Sequence, residues 1–308
     1  MTGHQGADAH PQGPHGHDER HGHHGHDHTD LDWNVLGPLL EQGAELSAPV
    51  HHGAARWLAE RTGGEVRRIL DVGSGPGVVT CLLAQVFPQA EVVAVDGAEE
   101  LLERTRDRAA RLGLAGRIRT RRAELPGDLG ALDEADLIWS SKTVHHLGDQ
   151  RAAVRALAAR LRPGGVLALA EGGLPLRCLP RDAGLGRPGL MSRLEVVNTE
   201  TFAEMRAALP DTVETVEDWS AMLAGAGLDG AASRTFLLDL PAPLDTPARQ
   251  WLRAELGHRR EAAADRLADG DLLALDRLLD PDDPAGIMRR PDAFVLSAQT
   301  VHSALRTG

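Results

Sequence analysis

The sequence predicts an α/β fold in which a mostly parallel sheet is wound between two layers of helices. Three observations predict it. Short β-branched runs alternate with helix-length segments from about residue 65 onward. The first of these runs leads directly into a glycine-rich turn that opens the next segment. A balance of 42% apolar and 25% charged residues over 308 positions belongs to a globular chain with a large core. One core with insertions fits this length better than two equal domains.

Taken in chain order, residues 1–30 stand apart. They carry nine histidines and no Leu, Ile, Val or Phe, so nothing offsets the entropy of ordering them, and a disordered tail is expected. Its densest stretch holds His21, His23, His24, His26 and His28, imidazoles able to wrap Ni²⁺, Zn²⁺ or Cu²⁺. Residues 31–64 form a second unit of helices over about 34–44 and 48–61, the latter with Ser47 as a cap and Pro49 in its first turn. These helices are expected to cover the site.

The core is expected over 65–308. Arg67 to Val72 (RRILDV) reads as a buried strand, followed by Gly73-Ser74-Gly75-Pro76-Gly77 and a helix from Val78 to Phe87 that Pro88 stops. Glu91 to Asp96 is a second strand, with an amphipathic helix over 98–113 closed by Gly113. Ile118 to Glu124, Ala135 to Ser140 and Val166 to Glu171 are strands three to five, and a helix over 149–162 is stopped by Pro163-Gly164-Gly165. Helical insertions follow at about 174–230 and 246–280, around a strand at Ser233 to Leu240. A last strand, Ala293 to Val301, closes the sheet.

Charge and cysteine content exclude several function classes. A net charge of −12 disfavours nucleic acid as a partner, because phosphate backbones require a basic face. Cys81 and Cys178 form neither a disulfide framework nor a zinc pattern. No apolar run has membrane-spanning length and the N-terminus lacks the apolar core of a secretory signal, so a cytoplasmic protein without a membrane partner is expected.

In an open parallel sheet, ligands bind beyond the carboxyl ends of the strands where the winding reverses, which directs attention to the residues ending each strand. Gly73, Gly75 and Gly77 remove the Cβ atoms that would hold a ligand away from backbone. Their spacing is GxGxG; the GxGxxG of nicotinamide dinucleotide sites would need glycine where Val78 stands. A Walker loop is absent, since the single lysine of the chain is Lys142. Asp96 ends the second strand, where a carboxylate accepts hydrogen bonds from both hydroxyls of a ribose.

The motifs DVGSGPG (71–77), VVAVDG (92–97), RAELP (122–126), SSKTVHHLGD (140–149) and LRPGGVLALAEGG (161–173) together resemble the class I S-adenosylmethionine-dependent methyltransferases. The resemblance covers about residues 65–240. It implies a Rossmann-like, doubly wound, seven-stranded, mostly parallel sheet whose final strand runs antiparallel, with helical insertions forming a lid. It further implies that Asp71 and the loop Gly73, Ser74, Gly75 and Gly77 lie against the methionine part of S-adenosyl-L-methionine. Asp96, followed by Gly97, would hold the ribose, Ala123 and Glu124 would flank the adenine, and Ser140 would line the cofactor's edge. Members more often carry Gly-Asp where this chain has Ala123-Glu124.

Methyl transfer requires an acceptor atom held in line with the sulfonium, and a base where the acceptor must lose a proton. His145 and His146 follow strand four at the crest of the sheet, and being adjacent they do not share a helical face. The resemblance turns His145 toward the acceptor and His146 toward the structure. Glu171 ends strand five at the same crest, where it could bind an amine acceptor, orient His145 or cap the following loop. Lys142 lies two residues beyond strand four. Arg177, Arg181, Arg187 and Arg193 suit recognition of an acidic small molecule, or simply balance an acidic surface. Trp33, Trp57 and Met191 suit an apolar pocket or the core equally.

The resulting expectation is methyl transfer to a small-molecule acceptor. Its rival is a metal-handling or regulatory protein whose cofactor fold binds without turnover while the histidine tail does the work. Nicotinamide-dependent oxidoreduction would share the loop and Asp96.

Overall fold

The structure is a computed structural model that describes residues 32–63 and 65–308. The histidine-rich tail lies outside them. Helices α1 (Trp33–Leu46) and α2 (Ala48–Thr62) precede the sheet, with Pro49 in the first turn of α2. Ser47 adopts φ −85° and ψ 5°, and its hydroxyl makes no cap bond, contrary to the expectation from its position.

The strands are β1 (Arg68–Val72), β2 (Glu91–Asp96), β3 (Ile118–Arg122), β4 (Ala135–Ser141), β5 (Leu161–Arg177), β6 (Asp229–Leu240) and β7 (Val295–Leu305). They form one sheet in the order β3-β2-β1-β4-β5-β7-β6, in which only β7 runs antiparallel to its neighbours. The interleaved helices are α3 (Val78–Val86), α4 (Glu99–Arg111), α5 (Gln150–Ala158), α6 (Leu190–Ala208), α7 (Trp219–Gly225), α8 (Thr246–Ala262) and α9 (Asp269–Leu279). The predicted insertion at 246–280 is thus two helices. The seven-stranded, doubly wound architecture expected from the sequence is present.

Alternation along the strands distributes the core. Ile69, Val92, Leu137, Trp139, Ala168 and Ala170 face α2 and α3, while Leu70, Val95, Ile138, Leu167 and Leu169 face α5 and α7. A further cluster joins the inserted α6, α8 and α9 to Val50, Leu176, Leu238 and Val295.

Two expected boundaries shift for identifiable reasons. The helix expected over 149–162 ends at Ala158, because Leu161 is fully buried and already pairs with Ala135. Pro163-Gly164-Gly165 is therefore the entry to β5; a Cβ on Gly165 would sit 2.9 Å from the Arg162 carbonyl. At its other end β5 runs past Glu171 to Arg177, because β7 keeps pairing with it: Gly173 opposes Gln299 and Arg177 opposes Leu296. The register slips by one residue between Ala170 and Gly173, so Glu171 sits in a bulge, a feature that re-aims side chains beside functional sites.

Candidate active site

β1 and β4 are adjacent although β2 and β3 intervene in sequence, so the chain winds away from this pair in both directions and leaves a crevice at their carboxyl ends. The turn after β1 lines it. Gly73 and Ser74 donate backbone bonds to the Val95 carbonyl at 2.8 and 3.1 Å. Gly73 and Gly77, with φ +72° and +76°, have no room for a side chain: a Cβ would lie 2.0 Å from Thr143 Oγ1 and 2.4 Å from Thr105 Oγ1 respectively. Gly75, with φ +55°, is different, since nothing stands within 4 Å of its imaginary Cβ. The loop is braced on both sides and open at its tip.

That tip is tied to the predicted ribose carboxylate. Asp96 accepts from Gly75 N through Oδ2 at 2.9 Å and from Ala98 N through Oδ1 at 3.0 Å. Asp71 is 2% exposed and accepts from Thr80 Oγ1 at 2.6 Å. Burial pushes its carboxyl up to about 7, against the Thr80 hydrogen bond and with help from the Asp96 charge. Ser140 is fully buried and donates to the Val72 carbonyl at 3.0 Å, stitching β4 to β1 at the crevice floor.

Ala123 is buried and its N–H donates to the Asp96 carbonyl at 3.0 Å. Glu124 is exposed, with its backbone N–H on Asp128 Oδ2 at 2.8 Å. A Cβ on Gly97 would come 3.2 Å from Glu124 Oε2, so the pair at 123–124 stands beside Asp96-Gly97.

Across the crevice, Thr143 begins a 3₁₀ turn, Val144–His146, that carries both histidines. Glu171 is 1% exposed and fully engaged. Its Oε1 accepts from Thr143 N and Val144 N, each at 3.1 Å, and its Oε2 lies 2.5 Å from His145 Nδ1. Glu171 thus binds His145 and the amides of the turn after β4, and the cap expected on the loop after β5 is made instead on that turn. With Nδ1 bound to the carboxylate, Nε2 of His145 is the nitrogen left to act as acceptor. The His146 ring stacks obliquely at 4.2 Å between centroids, and Phe202 of α6 packs on both imidazoles at 5.2 and 5.5 Å. Arg206 of α6 donates to the carbonyls of His145 and Leu147.

The arginine cluster does not converge on this crevice. Arg187 and Arg193 both bind Asp271 of α9, which is 2% exposed and whose carboxyl is held below the usual range chiefly by the Arg193 hydrogen bond. Arg177 bonds the Leu176 carbonyl. Met191 and Trp57 pack in the core clusters. Among the described residues no group of three or more His, Cys, Asp or Glu could hold a metal, and no helix is long and apolar enough to cross a membrane. His21, His23, His24, His26 and His28 lie outside the described residues.

Several participants carried no sequence signal of their own. Thr80, Thr143, Phe202, Arg206, Gln299 and Asp271 become meaningful only through pairing across elements. Gln299, opposite the β5 bulge, donates to Ser141 Oγ at 3.0 Å and to the Ala170 carbonyl at 3.3 Å.

A parallel sheet with one antiparallel strand, a braced glycine loop tied to a strand-end carboxylate and a histidine–carboxylate pair at the crest define a doubly wound α/β protein with these groups gathered at the strand ends. Comparison with known proteins gives the family. Residues 69–165 match the family described as "Methyltransferase domain". The chain is 31% identical over 228 residues, 67% of itself and 82% of the relative, to a trans-aconitate 2-methyltransferase from Mycolicibacterium gilvum. It is 36% identical over 143 residues, 45% of itself and 49% of the relative, to the Variovorax paradoxus protein of that name. An uncharacterized Synechococcus protein is 40% identical over 106 residues, 32% of this chain and 24% of its own. Two of these three matches span half or less of the curated relative. The chain belongs to the class I S-adenosylmethionine-dependent methyltransferases.

Proposed function

We propose that this chain transfers a methyl group from S-adenosyl-L-methionine to a small-molecule acceptor. The observation that carries the reading is the pairing of the open Gly75 tip with Asp96, on the same crevice as the His145–Glu171 pair. A loop open at its tip lets an adenosyl ligand approach backbone closely, and a carboxylate at the end of β2 is an acceptor suited to ribose hydroxyls. Asp71, Gly73, Ser74 and Gly77 would face the methionine portion, Gly97, Ala123 and Glu124 the adenine side, and Ser140 the edge. When bound, the donor supplies a methyl group on a good leaving group.

The remaining work falls to the protein. Glu171 holds His145 in the tautomer that carries a proton on Nδ1, so Nε2 accepts the proton of a hydroxyl or acidic carbon as the acceptor attacks. The second proton position is thereby fixed before substrate arrives, which is where a positioned base gains over water. His146 packs against His145 and Phe202 and supports the turn. The N-terminal helices and α6 cover the acceptor side. An acidic acceptor is consistent with relatives named for trans-aconitate methylation.

The test is incubation of a metabolite extract with isotopically labelled donor, followed by mass analysis of what gains the methyl group. Labelled small molecules that vanish with His145→Ala support the reading; a folded protein that binds donor and labels nothing contradicts it. A cytoplasmic setting is part of the same proposal. Metal capture by the histidine tail is a separate proposal, tested by Ni²⁺ titration before and after removal of residues 1–30.

A further inference from the structure

Two polar groups beside the crevice are not used by the reaction as described. Lys142 is the chain's only lysine among 33 basic residues. It sits directly after β4 with φ +51°, a left-handed conformation that non-glycine residues seldom adopt, and its N–H is pinned to the Ala170 carbonyl at 3.1 Å. Its side chain is exposed and, among the described residues, makes no ion pair or hydrogen bond.

His51 lies in the first turn of α2. It is 7% exposed, and its Nδ1 is buried without a partner. Ala54 and Ala55, one turn further along α2, belong to the same core cluster as Trp139 and Ala170 near the ends of β4 and β5. Desolvation, reinforced by the Lys142 ammonium, lowers its pKa to about 4, so the ring is neutral in the physiological range. The His51 nitrogen is buried without a partner, and the exposed Lys142 ammonium acts on it electrostatically; an incoming anionic group would satisfy the first and be attracted by the second.

We infer that Lys142 and His51 form a carboxylate subsite for the methyl acceptor, the ammonium supplying charge and the imidazole a directed N–H. The inference rests on the proposed methyl transfer and names the acceptor class: a small molecule bearing a free carboxylate near the atom that is methylated. It also replaces the arginine cluster, whose Arg187 and Arg193 are committed to Asp271. The donor's methionine end carries a carboxylate too, so the test separates the two sources.

Because the chain has a single lysine, protein labelled with ε-¹³C lysine gives one side-chain resonance, assigned by its loss in Lys142→Asn; asparagine tolerates the left-handed backbone. The probes are 5′-methylthioadenosine, S-adenosylhomocysteine, and then trans-aconitate, succinate and benzoate with their methyl esters, added to the S-adenosylhomocysteine-loaded protein. We expect the first two to give the same position and at least one free acid, but no ester, to move it saturably. Its calorimetric affinity should fall about tenfold or more in Lys142→Asn and in His51→Phe, and recover in part in His51→Gln, which keeps a donor. No movement with any acid, or movement by S-adenosylhomocysteine beyond that by methylthioadenosine, overturns the assignment. Calorimetry of S-adenosylhomocysteine on the same sample tests the donor reading separately: its failure alongside a carboxylate-induced shift would remove methyl transfer and retain the subsite.

Discussion

Replacing Glu171 by glutamine changes one oxygen for an amide nitrogen at nearly constant volume, in a side chain that is 1% exposed. The amide oxygen can still accept from Thr143 N and Val144 N, both of which now meet Oε1. The amide NH₂ then faces His145 Nδ1, 2.5 Å from the present Oε2, and two donors cannot share that contact. The imidazole resolves the conflict by moving its proton to Nε2, the nitrogen that should receive the acceptor's proton. Loss of a positioned base costs roughly 10²–10⁴ in rate. The lost charge-assisted bond costs about 1.5–3 kcal/mol of stability, or a fall of roughly 3–12 °C in Tm at about 2–4 °C per kcal/mol. The assay is kcat against KM for methyl transfer, with calorimetric Kd for S-adenosylhomocysteine as the control and imidazole ¹⁵N chemical shifts reporting the tautomer. A kcat within about twofold of the parent, with an inverted tautomer, would refute the role given to His145 Nε2.

Gly75→Ala places a methyl group where nothing lies within 4 Å, so its cost to the fold is the left-handed backbone alone, about 1–2 kcal/mol, while affinity for S-adenosylhomocysteine should fall about tenfold or more; calorimetry and thermal unfolding separate the two. Asp71→Asn keeps an acceptor for Thr80 but removes a carboxyl raised from 3.8 to about 7. A raised carboxyl stabilises the folded state fully below 3.8, and that contribution is lost as pH rises through about 7. The variant's Tm should therefore improve relative to the parent between pH 4 and 7, by an upper bound of about 4 kcal/mol, and parallel Tm curves would contradict the buried environment. Asp271→Ala removes the buried acceptor of Arg187 and Arg193, whose own side chains reach solvent, and should cost about 1.5–3 kcal/mol in denaturant unfolding, with KM for the acceptor unchanged.

What the sequence made legible is what local pattern encodes. β1, β2 and β4 are apolar runs buried on both faces, so their letters alone identify them, and the loop after β1 announces itself because only glycine accepts φ of +72° and +76° against Thr143 and Thr105. The exit of β5 was not legible. Its course to Arg177 depends on pairing with β7, more than 100 residues later, and the bulge that aims Glu171 at His145 arises from that pairing. The same holds for the arginines after β5. Their composition suggests an anion site, yet the partner that occupies two of them, Asp271, sits on α9 and has no marking in sequence. Likewise nothing in the sequence singles out His51, which the structure buries in the first turn of α2.

The central claim is that the Gly73–Gly77 loop and Asp96 together hold an adenosyl sulfonium. Isothermal titration of the folded protein with S-adenosylmethionine and with S-adenosylhomocysteine tests it most directly. The account predicts saturable, stoichiometric heat from both ligands, with weaker affinity in Gly75→Ala; heat from neither, with native unfolding cooperativity intact, would contradict it.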